Sequence, residues 1–255
     1  MARRGTPQGP ISWTTLGSAP YPRPDEPCSG FLLQAGAANV LVDIGSGVLG
    51  SLQRYIVLED LHAVWIRHLH ADHFSDMPLL YYAFALSAKR TRKIPILGPV
   101  GWAERAEAFL RSSTEKHMST YFQVVELKDR GVAEIGDLRI QARAVEHGEP
   151  AFGLTARYGD RALAYTGDSG PCENLVALAK DANVLVAECF ATEIEIPSVH
   201  MSPEDAGLVA ANAGVPRLVL THLSLGLSEE EAIERAATTF DGEIEVARPG
   251  TVLEA

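Results

Sequence analysis

The chain has 255 residues, a formal net charge of −11, and a composition that is 46% hydrophobic and 22% charged. This composition is typical of a globular protein and excludes collagen-like, low-complexity and disordered classes. The negative charge argues against general binding to nucleic-acid phosphates, which requires an excess of lysine and arginine.

The start of the chain and the cysteines indicate the compartment. Arg3 and Arg4 are followed by no apolar segment, and no stretch approaches about 18 uncharged apolar residues. We therefore expect neither a secretory signal nor a membrane-spanning helix. Cys28, Cys172 and Cys189 lie far apart and form no Cys-x-x-Cys pair, which disfavours a disulfide framework. These features predict a reduced, cytoplasmic protein.

Short apolar runs alternate with helical patterns along the chain. Residues 1–10 predict a flexible tail, and the prolines within 20–27 predict a loop. The predicted strands cover 11–16, 31–34, 39–43, 63–67, 94–97, 122–127, 138–146, 152–158, 162–166, 184–188, 218–221 and 243–247. The predicted helices cover 45–55, 78–88, 102–111, 174–180, 202–213 and 229–239, and a polar loop is predicted at 68–76.

The order of these elements indicates a mixed α/β protein. Residues 31–34 with 39–43, and 152–158 with 162–166, form predicted hairpins and therefore antiparallel pairs. Other strands alternate with helices, which favours parallel pairing. A layered sandwich of mixed sheets and helices fits this pattern better than a purely parallel sheet. Because no linker or change in composition divides the chain, we expect a single domain over 11–255.

The strongest chemical signal is the segment His68-Leu69-His70-Ala71-Asp72-His73, which holds three of the eight histidines within six positions. On extended chain, His68 and His70 point to the same side, and a turn can bring Asp72 and His73 toward the same space. Neutral imidazole and carboxylate together suit zinc, or alternatively manganese or iron. The segment therefore predicts a metal site.

Further residues of the same chemical types follow other predicted strands. His147 follows the strand at 138–146, Asp168 lies in the turn after 162–166, and His222 follows 218–221. Active-site loops of α/β proteins collect at strand ends, so these three are candidate partners of the motif.

This succession of residues resembles the metallo-β-lactamase superfamily, and the resemblance covers nearly the whole chain. It implies a four-layer αββα sandwich, in which two mixed β-sheets pack face to face between helices. It also implies two divalent metal ions, with zinc preferred over manganese or iron. Asp43 lies in a stretch similar to the family's early Asp motif and would hold a ligand in place. The implied ligands are His68, His70 and His147 for the first ion, Asp72, His73 and His222 for the second, and Asp168 between them.

The downstream region is similar to the RNase Z branch of this superfamily. By position, Glu188 and His200 match a Glu–His pair that protonates the leaving oxygen, and the carboxylate would raise the pKa of His200 and orient it. The resemblance thus implies attack by a hydroxide shared between the ions, with Asp72, His200 and Glu188 in catalytic roles. Ser169 and Ser224 are weaker candidates for contacts with phosphate.

Departures from RNase Z favour a small substrate. Ala187 replaces a family histidine, and Leu225-Gly226 replaces a polar continuation. Between His147 and Asp168 there is room for one hairpin and none for the arm with which RNase Z clamps transfer RNA. The chain is therefore more similar to small cyclic-nucleotide phosphodiesterases, which predicts a metal-dependent hydrolase acting on a small phosphodiester such as a 3′,5′-cyclic nucleotide.

Three alternatives stay open, and so does the oligomeric state. The chain could process transfer-RNA 3′ ends without the arm, hydrolyse a lactone or thioester in a biosynthetic pathway, or act as a metal-dependent scaffold without turnover. The helix at 79–86 is apolar around its circumference, which, together with similarity to small dimeric relatives, predicts a homodimer.

Overall fold

Apolar strands build two seven-stranded β-sheets in the computed structural model, which describes residues 9–86, 92–110, 117–190 and 199–255. Most of the tail expected at 1–10, and the last residues of the helices expected at 78–88 and 102–111, lie outside these described residues. No helix within the described ranges has the length and apolar character needed to cross a membrane.

The first sheet combines an antiparallel and a parallel part. Its strands in chain order are β1 (Ser12–Gly17), β2 (Gly30–Ala35), β3 (Ala38–Val42), β4 (Ala63–Trp65), β5 (Ile94–Gly98), β6 (Phe122–Glu126) and, from the end of the chain, β14 (Val252–Glu254). The spatial order is β14-β1-β2-β3-β4-β5-β6. Pairing is antiparallel from β14 to β3 and parallel from β3 to β6.

The second sheet likewise has an antiparallel part and a parallel part. Its strands are β7 (Val132–Ile135), β8 (Leu138–Val145), β9 (Ala151–Tyr158), β10 (Arg161–Tyr165), β11 (Val184–Glu188), β12 (Arg217–Thr221) and β13 (Glu243–Val246), and they lie side by side in chain order. Strands β7 to β10 pair antiparallel, and β10 to β13 pair parallel.

The inner faces of the two sheets share one apolar core. Trp13 and Phe31 of the first sheet meet Tyr165 of the second, with ring centroids 5.2 and 5.1 Å from that of Tyr165. All three side chains are at least 99% buried, and aromatic residues of this size each remove about 150–250 Å² from water. The sheets are therefore held face to face by hydrophobic contact, and we propose that they form a single domain over 11–255.

Helices cover both outer faces. Against the first sheet pack α1 (Val48–Leu52), α3 (Met77–Leu86) and α4 (Trp102–Phe109), and against the second pack α5 (Glu173–Ala179), α6 (Pro203–Ala213) and α7 (Glu229–Ala236). The order helix, sheet, sheet, helix confirms the predicted four-layer αββα sandwich with two mixed sheets.

Local differences from the predicted elements have simple causes. The polar loop expected at 68–76 contains a single helical turn, α2 (Ala71–Phe74), which is too short to give a periodic pattern. Strands β7 and β14 were not predicted, because both are short edge strands with little burial: β7 has exposed and half-buried residues, and β14 has one buried residue. Their formation depends on pairing with β8 and β1.

Candidate metal centre

The candidate residues come from one edge of the two sheets. Parallel strands end at the same edge of a sheet, so residues that follow them in sequence meet in space. Asp43 follows β3, the motif at 68–73 follows β4, His147 follows β8, Asp168 follows β10, Glu188 ends β11 and His222 follows β12. The fold thereby brings together side chains that are up to 179 positions apart (43 to 222) in the sequence.

Three histidines form a first group. The ligand atoms of His68, His70 and His147 all lie within 4.8 Å of one another. The Nδ1–H of His147 donates to the carbonyl oxygen of Val199 at 2.8 Å, which leaves its Nε2 unprotonated and 3.1 Å from Nδ1 of His70. This arrangement directs imidazole lone pairs toward a common point.

A second group combines two carboxylates and two histidines, which are Asp72, His73, Asp168 and His222. Nε2 of His73 lies 3.0 Å from Oδ2 of Asp72 and 3.2 Å from Oδ2 of Asp168. Nε2 of His222 lies 3.3 Å from the same oxygen of Asp168.

Asp168 also faces the first group. Its Oδ2 lies 3.8 Å from Nε2 of His68 and 3.9 Å from Nε2 of His147. One carboxylate oxygen therefore faces ring nitrogens from both groups, which is the position that a residue shared by two ions requires.

The donor set fits divalent metal ions. Nδ1 and Nε2 of His68 are buried and make no hydrogen bond within the described residues. A buried polar atom without a partner costs about 1–3 kcal/mol, and a cation beside Nε2 of His68 would satisfy that nitrogen. Imidazole nitrogen with carboxylate oxygen suits zinc, manganese or iron.

Burial keeps most of the histidines neutral and therefore able to bind metal. It lowers the pKa of His68 well below its usual value, lowers that of His147, and brings the pKa of His222 to about 4. His73 differs: burial favours the neutral ring, but the carboxylates of Asp168 and Asp43 raise its pKa well above the usual value. A bound cation would have to displace this proton.

Sequence reasoning missed Arg67, which lies directly before the motif. Its side chain is fully buried, and its backbone N–H and Nε–H donate to Oδ1 and Oδ2 of Asp43 at 3.0 and 2.6 Å. Oδ2 of Asp43 also accepts from Nδ1–H of His73 at 2.8 Å, so Asp43 contacts a histidine of the second group. The available signal was a charged residue in the otherwise apolar run at 63–67.

Glu188 and His200 form a hydrogen-bonded pair beside both groups. Nδ1 of His200 lies 3.0 and 2.9 Å from the two carboxyl oxygens of Glu188, whose Oε1 also accepts the backbone N–H of Ser169 at 2.5 Å. The ring of Phe190 stacks on that of His200 with centroids 4.3 Å apart. A ring nitrogen of His200 also lies within 4.8 Å of ligand atoms of His147 and Asp168.

The protonation of this pair corrects the sequence-based expectation. Burial lowers the pKa of His200, where a raised pKa was expected. Burial and the charge of Asp168 raise the pKa of Glu188 well above its usual range. The two groups are hydrogen-bonded, so the protonation of one affects that of the other.

The two serine candidates differ in position. Ser169 is fully buried, and its hydroxyl donates to the carbonyl oxygen of Gly170 at 2.6 Å; its contact with phosphate stays a prediction. Ser224 is half-buried, and its backbone N–H donates to the carbonyl oxygen of Phe190 at 3.1 Å. Its hydroxyl stays a candidate.

Comparison with known proteins agrees with this geometry. Residues 38–223 match the family described as the beta-lactamase superfamily domain. The chain is 38% identical to the uncharacterized protein Rv1339 of Mycobacterium tuberculosis, over 87% of this chain and 83% of the relative, and 31% identical to ribonuclease Z of Mycobacterium bovis, over 91% and 94%. It superposes on the metallo-β-lactamase fold protein YhfI of Bacillus subtilis with a TM-score of 0.86 at 28% identity, over 97% and 100% of the two chains.

The chain belongs to the β-lactamase superfamily. It is a metal-dependent hydrolase of that family, as the sequence analysis predicted, and its histidine and aspartate groups are suited to binding metal ions.

Proposed function

We propose that this hydrolase cleaves a small phosphodiester, such as a 3′,5′-cyclic nucleotide, with the help of two divalent ions. Zinc is the proposed metal, and manganese or iron are the alternatives. The observation that carries the proposal is the Glu188–His200 pair beside the two ligand groups. A phosphodiester releases a poorly stabilised alkoxide, so its cleavage gains from a positioned proton donor. A thioester releases a thiolate, whose parent thiol has a pKa of about 8.5, and has less need of one.

The ions would be held by side chains of both sheets. His68, His70 and His147 would hold one, Asp72, His73 and His222 the other, and Asp168 would lie between them. When bound, the ions would supply the positive charge that ionises an attacking water and stabilises negative charge on the phosphate oxygens. Asp72, whose side chain is 20% exposed, is the carboxylate of this set that reaches the solvent side of the site.

The leaving oxygen would receive its proton from His200. Glu188 fixes Nδ1 of the ring, and Phe190 stacks on one ring face, so Nε2 has a defined direction. Because Glu188 holds Nδ1, His200 would give the proton on Nε2 to the leaving oxygen, and Glu188 would stabilise the ring.

The segment between His147 and Asp168 favours a small substrate. This interval is filled by β9 and β10, which are joined by the tight turn at Gly159 and Asp160. No chain remains there for an arm that could clamp RNA. The net charge of −11 likewise disfavours a long polyanion.

A second candidate function is RNase Z-like processing of transfer-RNA 3′ ends. It is favoured by the 31% identity to a mycobacterial ribonuclease Z over almost the full length of both chains. On this alternative, a partner chain would have to supply the docking surface that the short β9–β10 hairpin lacks.

Substrate screening of the metal-loaded protein distinguishes these functions. We expect hydrolysis of 3′,5′-cyclic nucleotides to nucleoside monophosphates, and hydrolysis of bis-p-nitrophenyl phosphate. Turnover confined to thioesters or lactones, or to precursor transfer RNA at physiological salt, would contradict the proposal. A protein that binds metal and turns over no ester would favour the scaffold alternative.

The proton-donor assignment has its own test. His200→Gln and Glu188→Gln should lower kcat on cyclic nucleotides by about 100-fold or more, because the alkoxide then leaves unprotonated. The loss on bis-p-nitrophenyl phosphate should be much smaller, since nitrophenolate is a good leaving group. Metal content should not change, and the exposed His117→Gln variant is the control. Equal losses on both substrates would refute the assignment.

A further inference from the structure

Arg67 is a fully buried cation beside the candidate centre. Its Nη2 lies 2.5 Å from Oδ2 of Asp43 and 3.6 Å from Oδ1 of Asp168. Its guanidinium carbon lies 4.1 Å from the ring centroid of Tyr165, which closes the side of the guanidinium facing the core between the sheets. A buried arginine stays charged, so it is a permanent positive charge at this position.

The two oxygens of Asp168 face different surroundings. Oδ2 lies between 3.2 and 3.9 Å from Nε2 of four histidines, which are His68, His73, His147 and His222. Oδ1 makes no hydrogen bond within the described residues, and its close charged neighbour is Arg67. The carboxylate is thus turned so that one oxygen faces the histidines and the other faces the cation.

We propose that Arg67 is a positioning residue that makes Asp168 a one-oxygen bridge. The guanidinium attracts Oδ1 and, by repulsion between like charges, keeps a metal ion away from that oxygen. Oδ2, which faces the histidines, is then the oxygen of Asp168 that would be available to both ions. Nη2 of Arg67 also lies 2.8 Å from Nδ1 of His73, and Asp43 contacts the same nitrogen, so Nε2 of His73 would face the second ion. This inference rests on the proposed pair of ions.

The backbone beside Asp168 leaves room for this arrangement. Gly167 has φ +68°, and a Cβ at this position would lie 2.0 Å from Nη1 of Arg67. A side chain at 167 would therefore displace the guanidinium without removing its charge. The absence of a side chain at Gly167 therefore lets the guanidinium of Arg67 lie beside Asp168. A substitution at Gly167 can displace this guanidinium while residue 67 stays an arginine.

Metal binding to the apoprotein tests the proposal without any substrate. With Mn²⁺ as the probe, wild-type protein should bind two ions per chain in calorimetry and give an exchange-coupled paramagnetic resonance spectrum. Arg67→Gln and Gly167→Ala should weaken the second binding event about 10-fold or more and reduce the coupling. Arg67→Lys, which keeps the charge but loses the fork, should recover part of both.

The control is Arg157→Gln, which removes an exposed arginine on β9 that donates to the carbonyl oxygen of Lys180. Two ions with wild-type affinity and coupling in Arg67→Gln would overturn the proposal. A single ion in the wild-type protein would overturn it together with the dinuclear site, whereas a substrate other than a phosphodiester would overturn only the proposed function.

A measurement on unmutated protein covers the case in which the variants do not fold. In a crystal structure of the ion-loaded wild type, Oδ2 of Asp168 should contact both ions while Oδ1 stays beside Arg67. One ion on each oxygen of Asp168 would refute the assigned role.

Discussion

At the scale of single residues, two residues of the candidate site have a strained backbone. Asp43 and His222 have φ of 59° and 61°, the left-handed region that side chains with a Cβ rarely adopt. Each follows the end of a strand, β3 or β12, and each turns its side chain into the site. Such strain costs about 1–3 kcal/mol and persists only where surrounding contacts impose it. The hydrogen bonds between Asp43 and Arg67 are contacts of that kind.

His70 offers a direct test of the first ligand group. Its side chain is 43% exposed, so removing it should disturb the fold little. We expect His70→Ala to abolish activity and to lower bound metal toward one ion per chain, measured by elemental mass spectrometry of the purified protein. His117→Ala, which removes an exposed histidine that pairs with Glu107, should keep wild-type metal content and activity. Full metal occupancy in His70→Ala would exclude His70 as a ligand.

Sequence spacing was informative about which residues meet and uninformative about their protonation. The motif at 68–73 and the residues His147, Asp168 and His222 could be selected because each follows a predicted strand. The lowered pKa of His200 could not be predicted from the sequence, since it depends on how deeply the fold buries Glu188 and His200. The sequence shows Arg67 as a charged residue in an apolar run, but it does not show that Arg67 lies between Asp43 and Asp168.

At the scale of elements, α6 links stability to the site. The hydroxyl of Ser202 accepts the backbone N–H of Asp205 at 3.1 Å, and the Asp205 carboxylate accepts the backbone N–H of Ser202 at 3.0 Å. This capping box confirms the helix start that Ser202, Pro203 and the following acids predicted. Because His200 lies two residues before the cap, the same hydrogen bonds anchor the segment that carries it.

Removing the cap should therefore have two effects. Ser202→Ala should lower the free energy of unfolding by about 1 kcal/mol and should also lower kcat. Ser228 caps α7 in the same way, by accepting the N–H of Glu231 at 3.1 Å. Ser228→Ala should give a similar stability loss in denaturant unfolding but leave kcat unchanged. Equal kcat values in the two variants would show that the α6 cap does not position His200.

The elements that escaped prediction are those defined by their neighbours. Strand β14 has three residues and exists because Trp13 and Leu253 pair across the sheet. The turn of α2 begins within the motif at 68–73, whose polar residues resemble a loop. Long elements such as α6 carry their own signals in caps and periodicity, whereas these short ones depend on contacts made after folding.

At the scale of the whole molecule, buried histidines make stability depend on pH. Burial lowers the pKa of four of them, to about 4 for His222. Below the ordinary histidine pKa of about 6.5, the unfolded chain binds protons that the buried rings of the folded chain do not bind. The free energy of unfolding therefore falls as the pH drops toward 4. His73, with a raised pKa, is protonated in both states in this window, and Glu188 acts in the opposite direction. The four histidines are His68, His147, His200 and His222.

Metal-free protein should therefore be less stable at pH 4.5 than at pH 7. The lowered pKa of His222 alone contributes about 3 kcal/mol over the full titration. Guanidinium unfolding at both pH values, after treatment with a chelator, measures the difference. An unchanged midpoint would contradict the conclusion that these histidines are buried in the neutral form.

The layer order could be predicted because hairpins and helical crossovers alternate, and because the motif resembles one superfamily. The homodimer and the cytoplasmic location stay predictions. Leu79 and Leu86 of α3 are 56% and 83% exposed, so the helix expected to form a dimer face has apolar side chains at its surface.

The division of ligands between the sheets has a mechanical consequence. The loops at 43 and 68–73 belong to the first sheet, and His147, Asp168 and His222 belong to the second. Each proposed ion would therefore act as a cross-link between two halves of the chain that otherwise adhere through apolar contact. By mass action, free metal at 100 times its dissociation constant would add about 2.7 kcal/mol of stability per site. The concentration of free metal would then affect the stability of the folded chain as well as its catalytic rate.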